Sequence, residues 1–129
     1  MIAIDTNVLV RLLTRDHEAQ FQAAHQLFAD NAIFIPDTVV LETGWVLRHA
    51  YELAPTTICE ALRSAFGLPR VHLESSTAVV KALSWHESGL DFADALHLAK
   101  SERRTAFKTF DQALIKRAQA LTSCMVETP

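Results

Sequence analysis

The stretch MIAIDTNVLVRLL, residues 1–13, decides the fold class of this chain. Ile2-Ala3-Ile4 is a short apolar run of the kind that forms a buried strand, and Asp5 ends it. The apolar residues that follow, at 8, 9, 12 and 13, have the spacing of an amphipathic helix. A buried strand that leads directly into such a helix is typical of α/β proteins.

The rest of the chain repeats this alternation. Further short apolar runs, at residues 32–35, 71–73, 106–110 and 124–126, alternate with helical patterns, and Asp16 is the expected cap of the second helix. The 129 residues match one ordinary domain, and 50% hydrophobic with 21% charged residues excludes disordered, coiled-coil and collagen-like chains. We therefore predict a single α/β domain over residues 1–129 with a central, mainly parallel sheet of four or five strands.

Several protein classes are excluded by simple features of the sequence. No apolar run is long enough to span a membrane, and residues 1–13 lack the pattern of a signal peptide, so we expect a cytoplasmic protein without membrane contact. Two cysteines, Cys59 and Cys124, form neither a disulfide framework nor a four-ligand zinc site.

Positive charge is concentrated near the C-terminus although the net charge is −3. Six basic side chains lie after residue 99: Lys100, Arg103, Arg104, Lys108, Lys116 and Arg117. Such a section is either a solvated surface or, beside an active site, a surface that contacts phosphates.

The polar residues that follow the apolar strands or begin the helices are nearly all carboxylates. Asp5 ends the first strand and Asp111 follows the fourth, Glu42 lies early in the helix after the second, and Asp91 and Asp94 begin the helix after Gly89. Parallel α/β sheets bind ligands outside the carboxyl ends of their strands. Each acid also has a structural interpretation, because aspartates cap helices and an Asp-x-x-Asp spacing suits a capping box.

Glu42 is the most informative acid. It lies between VVL and GWVL in an apolar helix, and no basic residue stands three or four positions from it. Several acids facing one pocket would repel each other, and divalent cations remove that repulsion. Oxygen-only ligands favour Mg²⁺ or Mn²⁺ over zinc, and paired ions of this kind hydrolyse phosphodiesters.

Four segments together resemble the PIN domain family, and within it the VapC-type toxins of bacterial toxin–antitoxin pairs. They are MIAIDTNVLVRLL, VVLETGWVL, DFADALHLA and TFD, which occur in the family's order and spacing. The resemblance implies a three-layer α/β/α domain with strand order 3-2-1-4-5. It also implies an endoribonuclease that uses one or two Mg²⁺ (or Mn²⁺) ions, acts on RNA, forms a homodimer and is inhibited by a VapB-like antitoxin. No direct DNA binding is expected without that antitoxin.

The resemblance also assigns roles to residues of this chain. The catalytic and metal-holding acids fall on Asp5, Glu42, Asp94 and Asp111. Three further residues are accessory. Asp91 is a further acid, Thr109 would hold a metal-bound water, and Asn7 is either an orienting hydrogen-bond partner or a helix cap. The basic section would contact the RNA backbone.

Other residues and other protein classes receive a different interpretation. We interpret His97 as structural or partner-facing, and Trp45 and Trp85 as core or interface residues, with stacking on bases as the alternative. A PIN-like RNA-binding or interaction scaffold without activity is the main alternative function.

Two further classes fit less well. A haloacid-dehalogenase-like phosphatase would need an aspartate at position 7, where Asn7 stands. A phospho-acceptor receiver domain would need an aspartate after the third strand, where Leu73-Glu74-Ser75 stands, and a late lysine, a role that Lys108 fits poorly.

Overall fold

The five strands lie close to the predicted apolar runs, and helices occupy the segments between them. The structure is a computed structural model that describes all residues, 1–129. Its elements in chain order are β1 (Ile2–Ala3), α1 (Thr6–Thr14), α2 (Glu18–Asp30), β2 (Ile33–Ile35), α3 (Asp37–His49), α4 (Pro55–Phe66), β3 (Val71–Leu73), α5 (Ser76–Glu87), α6 (Phe92–Ala99), β4 (Ala106–Lys108), α7 (Gln112–Ala118) and β5 (Met125–Glu127). The predicted α/β class is confirmed.

Backbone contacts divide the chain into two units, Met1–Ser76 and Thr77–Pro129. The first unit holds a three-stranded parallel sheet in the order β1-β2-β3, with Ile2 opposite Ile33 and Ile33 opposite Val71. The second unit holds a parallel pair, β4 and β5, with Ala106 opposite Met125. These pairings give the 3-2-1 and 4-5 parts of the predicted strand order, and the adjacency of β1 and β4 stays a prediction.

The core of the first unit consists of side chains from the sheet and the helices around it. Fully buried large residues are Leu9, Ile33, Ile35, Leu47, Ile58 and Leu62. Each such side chain contributes about 1.5–3 kcal/mol by leaving water. Ile33 and Ile35 in β2, the middle strand of this sheet, are completely buried, whereas Ile2 in β1 is 39% exposed.

The predicted cap of α2 is wrong. His17 caps this helix, because its Nδ1 accepts the backbone N–H of Gln20 at 3.2 Å. The Asp16 carboxylate accepts instead from the Tyr51 hydroxyl (2.7 Å) and from Thr14 and Arg11 (2.9 and 3.2 Å). These interactions lower the pKa of Asp16, with the Tyr51 hydrogen bond as the largest cause. The hydrogen bond from Tyr51, 35 residues away in the sequence, thus takes the place of the expected cap at Asp16.

No helix of the chain combines the length and the apolar character needed to cross a membrane.

Candidate metal and RNA site

The first acid group consists of Asp5 and Glu42, both in the first unit. Asp5 follows β1 and caps α1, because its carboxylate accepts the backbone N–H of Val8 at 3.2 Å. Glu42 lies in α3 and accepts a short hydrogen bond from the Thr6 hydroxyl. This bond joins the start of α1 to α3 across 36 residues, so it brings the segment that carries Asp5 to the helix that carries Glu42.

Thr6 and Asn7 both suit the polar position that the family often has beside its first acid, and the sequence favoured Asn7 as the orienting residue. Thr6 is 7% exposed and its hydroxyl is the donor to Glu42, whereas Asn7 is exposed in the first turn of α1. The signal for Thr6 in the sequence was its place directly after Asp5. The accessory role of Asn7 stays a prediction.

Glu42 is exposed, which corrects the expectation of a carboxylate near a packed face. Its neighbours Val40, Thr43 and Gly44 are buried. Position 42 therefore lies on the open side of α3, where an ionised carboxylate keeps contact with water and needs no local ion pair.

The second acid group consists of Asp91, Asp94 and Asp111 in the second unit. Asp91 caps α6 by accepting the backbone N–H of Asp94 at 3.2 Å. Asp111 caps α7 by accepting the backbone N–H of Leu114 at 3.1 Å. The structural interpretation of these two aspartates is thus confirmed, as it is for Asp5. A cap and a metal ligand are compatible roles, since a carboxylate has two oxygens.

The pKa of Asp94 is raised above its ordinary value. Burial is the largest cause, and the negative charges of Asp91 and Asp111 add to it. His97 acts in the opposite direction, so this histidine lies close enough to the acid to influence it. The carboxylates of Asp91 and Asp111 therefore repel that of Asp94, and a bound cation would remove this repulsion.

Thr109 forms the turn that leads into Asp111. Its hydroxyl accepts the backbone N–H of Asp111 at 3.0 Å, and its own N–H donates to the carbonyl of Glu127 at 3.1 Å. Both bonds fix the segment between β4 and α7. The hydroxyl proton of Thr109 is available to a second partner, so its predicted role in holding water stays open as a prediction.

The donor set suits a hard divalent cation. All five acids offer only carboxylate oxygens, the ligands that Mg²⁺ and Mn²⁺ prefer. Within neither unit do three or more acidic, histidine or cysteine side chains stand close enough together to form a ready metal site. The chemistry of the residues fits the predicted metal, and a shared site built from both acid groups stays a prediction.

The six C-terminal basic residues do not form one uniform surface. Lys108 forms an ion pair with Glu127 at 2.6 Å, on the exposed side of the β4–β5 pair. Lys116 and Arg117 line an open groove of about 500 Å³ with Trp85, Leu90 and Leu121. Arg117 lies against Gly89, whose φ of 111° and lack of a side chain allow this approach. Arg103 and Arg104 are exposed between α6 and β4, and Lys100 is the C-cap of α6.

The two tryptophans have different environments. Trp85 is 8% exposed, as expected of a core residue, whereas Trp45 is 61% exposed and therefore lies outside the core of this chain.

The chain is an α/β protein whose aspartates follow parallel strands and begin helices. The PIN domain family matches residues 2–120, and the chain belongs to this family. It is 33% identical over 124 residues to Ribonuclease VapC23 of Mycobacterium tuberculosis, in strains CDC 1551 / Oshkosh and ATCC 25618 / H37Rv. The similarity covers 88% of this chain and 95% of that relative. The family resemblance drawn from the four sequence segments is confirmed.

Proposed function

We propose that this protein is a metal-dependent endoribonuclease, the toxin of a toxin–antitoxin pair, which hydrolyses RNA phosphodiesters. The observation that supports the proposal best is the second acid group, in which burial and neighbouring carboxylates raise the pKa of Asp94. Similarity to a ribonuclease over nearly the whole chain supports RNA as the substrate.

In this proposal Asp5, Glu42, Asp94 and Asp111 together hold one or two Mg²⁺ or Mn²⁺ ions. A cation bound by these residues would supply a water of lowered pKa and positive charge for the departing 3′ oxygen. Thr6 orients the Glu42 carboxylate through its hydrogen bond. Asp91 fixes the first turn of α6 and thereby the position of Asp94.

Binding of the RNA strand is assigned to other residues. The exposed cations among Lys100, Arg103, Arg104, Lys108, Lys116 and Arg117 attract the phosphate backbone. Lys108 contributes least, because Glu127 already neutralises it.

The decisive experiment compares wild type, Asp5→Asn and Asp94→Asn on total cellular RNA with Mg²⁺ and then with EDTA. We expect wild type alone to cleave, only with Mg²⁺, leaving 5′-phosphate and 3′-hydroxyl ends. A loss of about 10²-fold or more is expected for each variant, as for other groups that stabilise a developing charge. Wild type without activity, or variants as active as wild type, would indicate a scaffold. Ends with a 2′,3′-cyclic phosphate would refute hydrolysis by water.

We further propose a homodimer in the cytoplasm that is inhibited by a VapB-like antitoxin and has no DNA affinity of its own. Light scattering on the purified protein tests the dimer. A short upstream reading frame for a DNA-binding protein that forms a complex with this chain and stops the cleavage would support the pairing.

A further inference from the structure

A buried histidine, His86, lies near the end of α5 and has one ring nitrogen without a partner. The residue is 5% exposed, and its Nε2 makes no hydrogen bond. Its Nδ1 lies 2.7 Å from the backbone carbonyl oxygen of Leu90. Because a carbonyl oxygen only accepts, Nδ1 carries the hydrogen and donates it. An apolar side chain would fill this place without burying an unpaired nitrogen, so the bond to Leu90 is what a histidine adds here.

The bond to Leu90 joins α5 to the turn that leads into α6. The Gly89 N–H donates to the His86 carbonyl at 3.0 Å, and the Leu90 N–H donates to the Trp85 carbonyl at 3.1 Å. These are the two backbone bonds of a Schellman motif at the end of a helix. The imidazole adds a third bond, to the carbonyl of a residue that is 4% exposed. Without the imidazole this buried carbonyl would lose that partner, which is costly.

His86 also contacts the first residue of α6. Its ring centroid lies 5.5 Å from that of Phe92, which is buried, with an angle of 57° between the planes. Leu90 and Phe92 stand on either side of Asp91, whose carboxylate accepts the Asp94 N–H at 3.2 Å. One imidazole therefore fixes the residue before and the residue after the cap that sets the first turn of α6.

We propose that His86 is a positioning residue, which holds the turn before α6 so that Asp94 stays in place as a metal ligand. The inference rests on the proposed function, in which Asp94 has that role. Burial and two neighbouring carboxylates act against the charge of Asp94, so a first turn without an anchor would move to relieve this penalty. A displacement of about 1 Å at a reacting site can lower a rate by about 10²-fold.

Three substitutions of His86 separate its hydrogen-bond donor from its bulk. His86→Asn places an amide N–H near the position of Nδ1, because both nitrogens are bonded to Cγ, whereas His86→Gln places its amide one bond farther out. His86→Leu fills much of the space and has no donor. Val79→Ala is the matched control, since Val79 is fully buried earlier in the same helix and its truncation lowers stability without removing a hydrogen bond.

The first measurement is amide hydrogen exchange by NMR on the full chain in EDTA, which requires no cleavage of RNA. The Leu114 amide donates to the Asp111 cap in the same unit and serves as the internal reference. Relative to it, the Asp94 amide should exchange roughly 5- to 150-fold faster in His86→Leu and His86→Gln, because a buried carbonyl is left unpaired. In His86→Asn and Val79→Ala the ratio of the two rates should stay close to that of wild type.

The second measurement is RNA cleavage with Mg²⁺, at a temperature well below the Tm of every variant. His86→Leu and His86→Gln should lose about 10²-fold in kcat with an unchanged KM for RNA, whereas His86→Asn and Val79→Ala should keep most of the activity. An unchanged kcat or exchange ratio in His86→Leu overturns the proposal, as does an equal loss in His86→Asn or Val79→Ala. If His86→Leu does not fold, the same outcomes are read from His86→Gln against His86→Asn.

The two measurements distinguish failure of this proposal from failure of the proposed function. If wild type cleaves RNA and His86→Leu cleaves it as fast, only the positioning proposal is wrong. If wild type cleaves no RNA at all, the nuclease proposal is wrong. The role of His86 in cleavage is then overturned as well, even where the exchange of the Asp94 amide changes as expected.

Discussion

The Asp94 side chain has an environment that penalises its charge. Burial and the carboxylates of Asp91 and Asp111 raise its pKa, so the folded protein holds this proton more strongly than the unfolded chain does. Between the ordinary pKa near 3.8 and the raised one, folding takes up a proton. Protonated Asp94 therefore stabilises the folded chain below this range of pH, and that contribution is lost as the pH rises through the range. A cation bound by the group would restore it at neutral pH.

At the residue scale, Asp94→Asn should raise the free energy of unfolding at pH 7 in EDTA, because it removes a charge that burial and the neighbouring acids penalise. The difference from wild type should vanish well below the ordinary pKa of 3.8, where Asp94 is protonated in both the folded and the unfolded chain. Urea unfolding at both pH values measures it. Asp30→Asn controls for the removal of one exposed acid. A variant that is less stable than wild type at pH 7 would contradict the predicted repulsion.

Helices α1, α6 and α7 each begin at an aspartate that serves as the N-cap. Asp5, Asp91 and Asp111 accept the backbone N–H three residues ahead. This local role holds each carboxylate at the positive end of a helix, at the point where a loop turns into the next element. Because each aspartate is held by the helix that it caps, a short segment of sequence is enough to predict its position.

At the element scale, substitutions of Asp111 can separate the cap from the metal. Asn caps a helix about as well as Asp, whereas Ala does not cap it. Asp111→Ala should lower the free energy of unfolding by about 0.5–2 kcal/mol, and Asp111→Asn by much less. Both should lose RNA cleavage, since neither keeps the charge. Urea unfolding and a cleavage assay on the same samples test this, and an active, fully stable Asp111→Asn protein would exclude Asp111 from the site.

On the scale of the whole molecule, the two acid groups belong to different units of one chain. Asp5 and Glu42 lie within residues 1–76, and Asp94 and Asp111 lie within residues 77–129. Under the proposed function each group would supply carboxylates to the metal, and a bound cation would stabilise the folded chain in proportion to its binding.

We expect Mg²⁺ or Mn²⁺ to raise the Tm of wild type, since an ion at about 100 times its Kd adds roughly 2.7 kcal/mol. Asp5→Asn and Asp94→Asn should each lose most of this gain, although they change different units. Thermal scans with each metal and with EDTA measure the shift, and Asp30→Asn should keep it. If only Asp94→Asn lost the shift, the metal would belong to the second acid group alone.

The sequence alone determined what depends on local pattern. The five strands, the caps at Asp5, Asp91 and Asp111, and the family followed from apolar spacing and from short segments. Such features depend on neighbours within a few positions, so reading along the chain can find them.

Only the tertiary structure decided which distant residues meet and which remain in water. It joined Thr6 to Glu42 and Asp16 to Tyr51, placed Glu42 on the open side of α3, and left Trp45 exposed. These outcomes depend on how helices pack against each other, since the partners stand 35 or 36 residues apart and no periodicity links them. The raised pKa of Asp94 has the same origin, because burial and the charge of Asp111, 17 positions away in the printed sequence, exist only after folding.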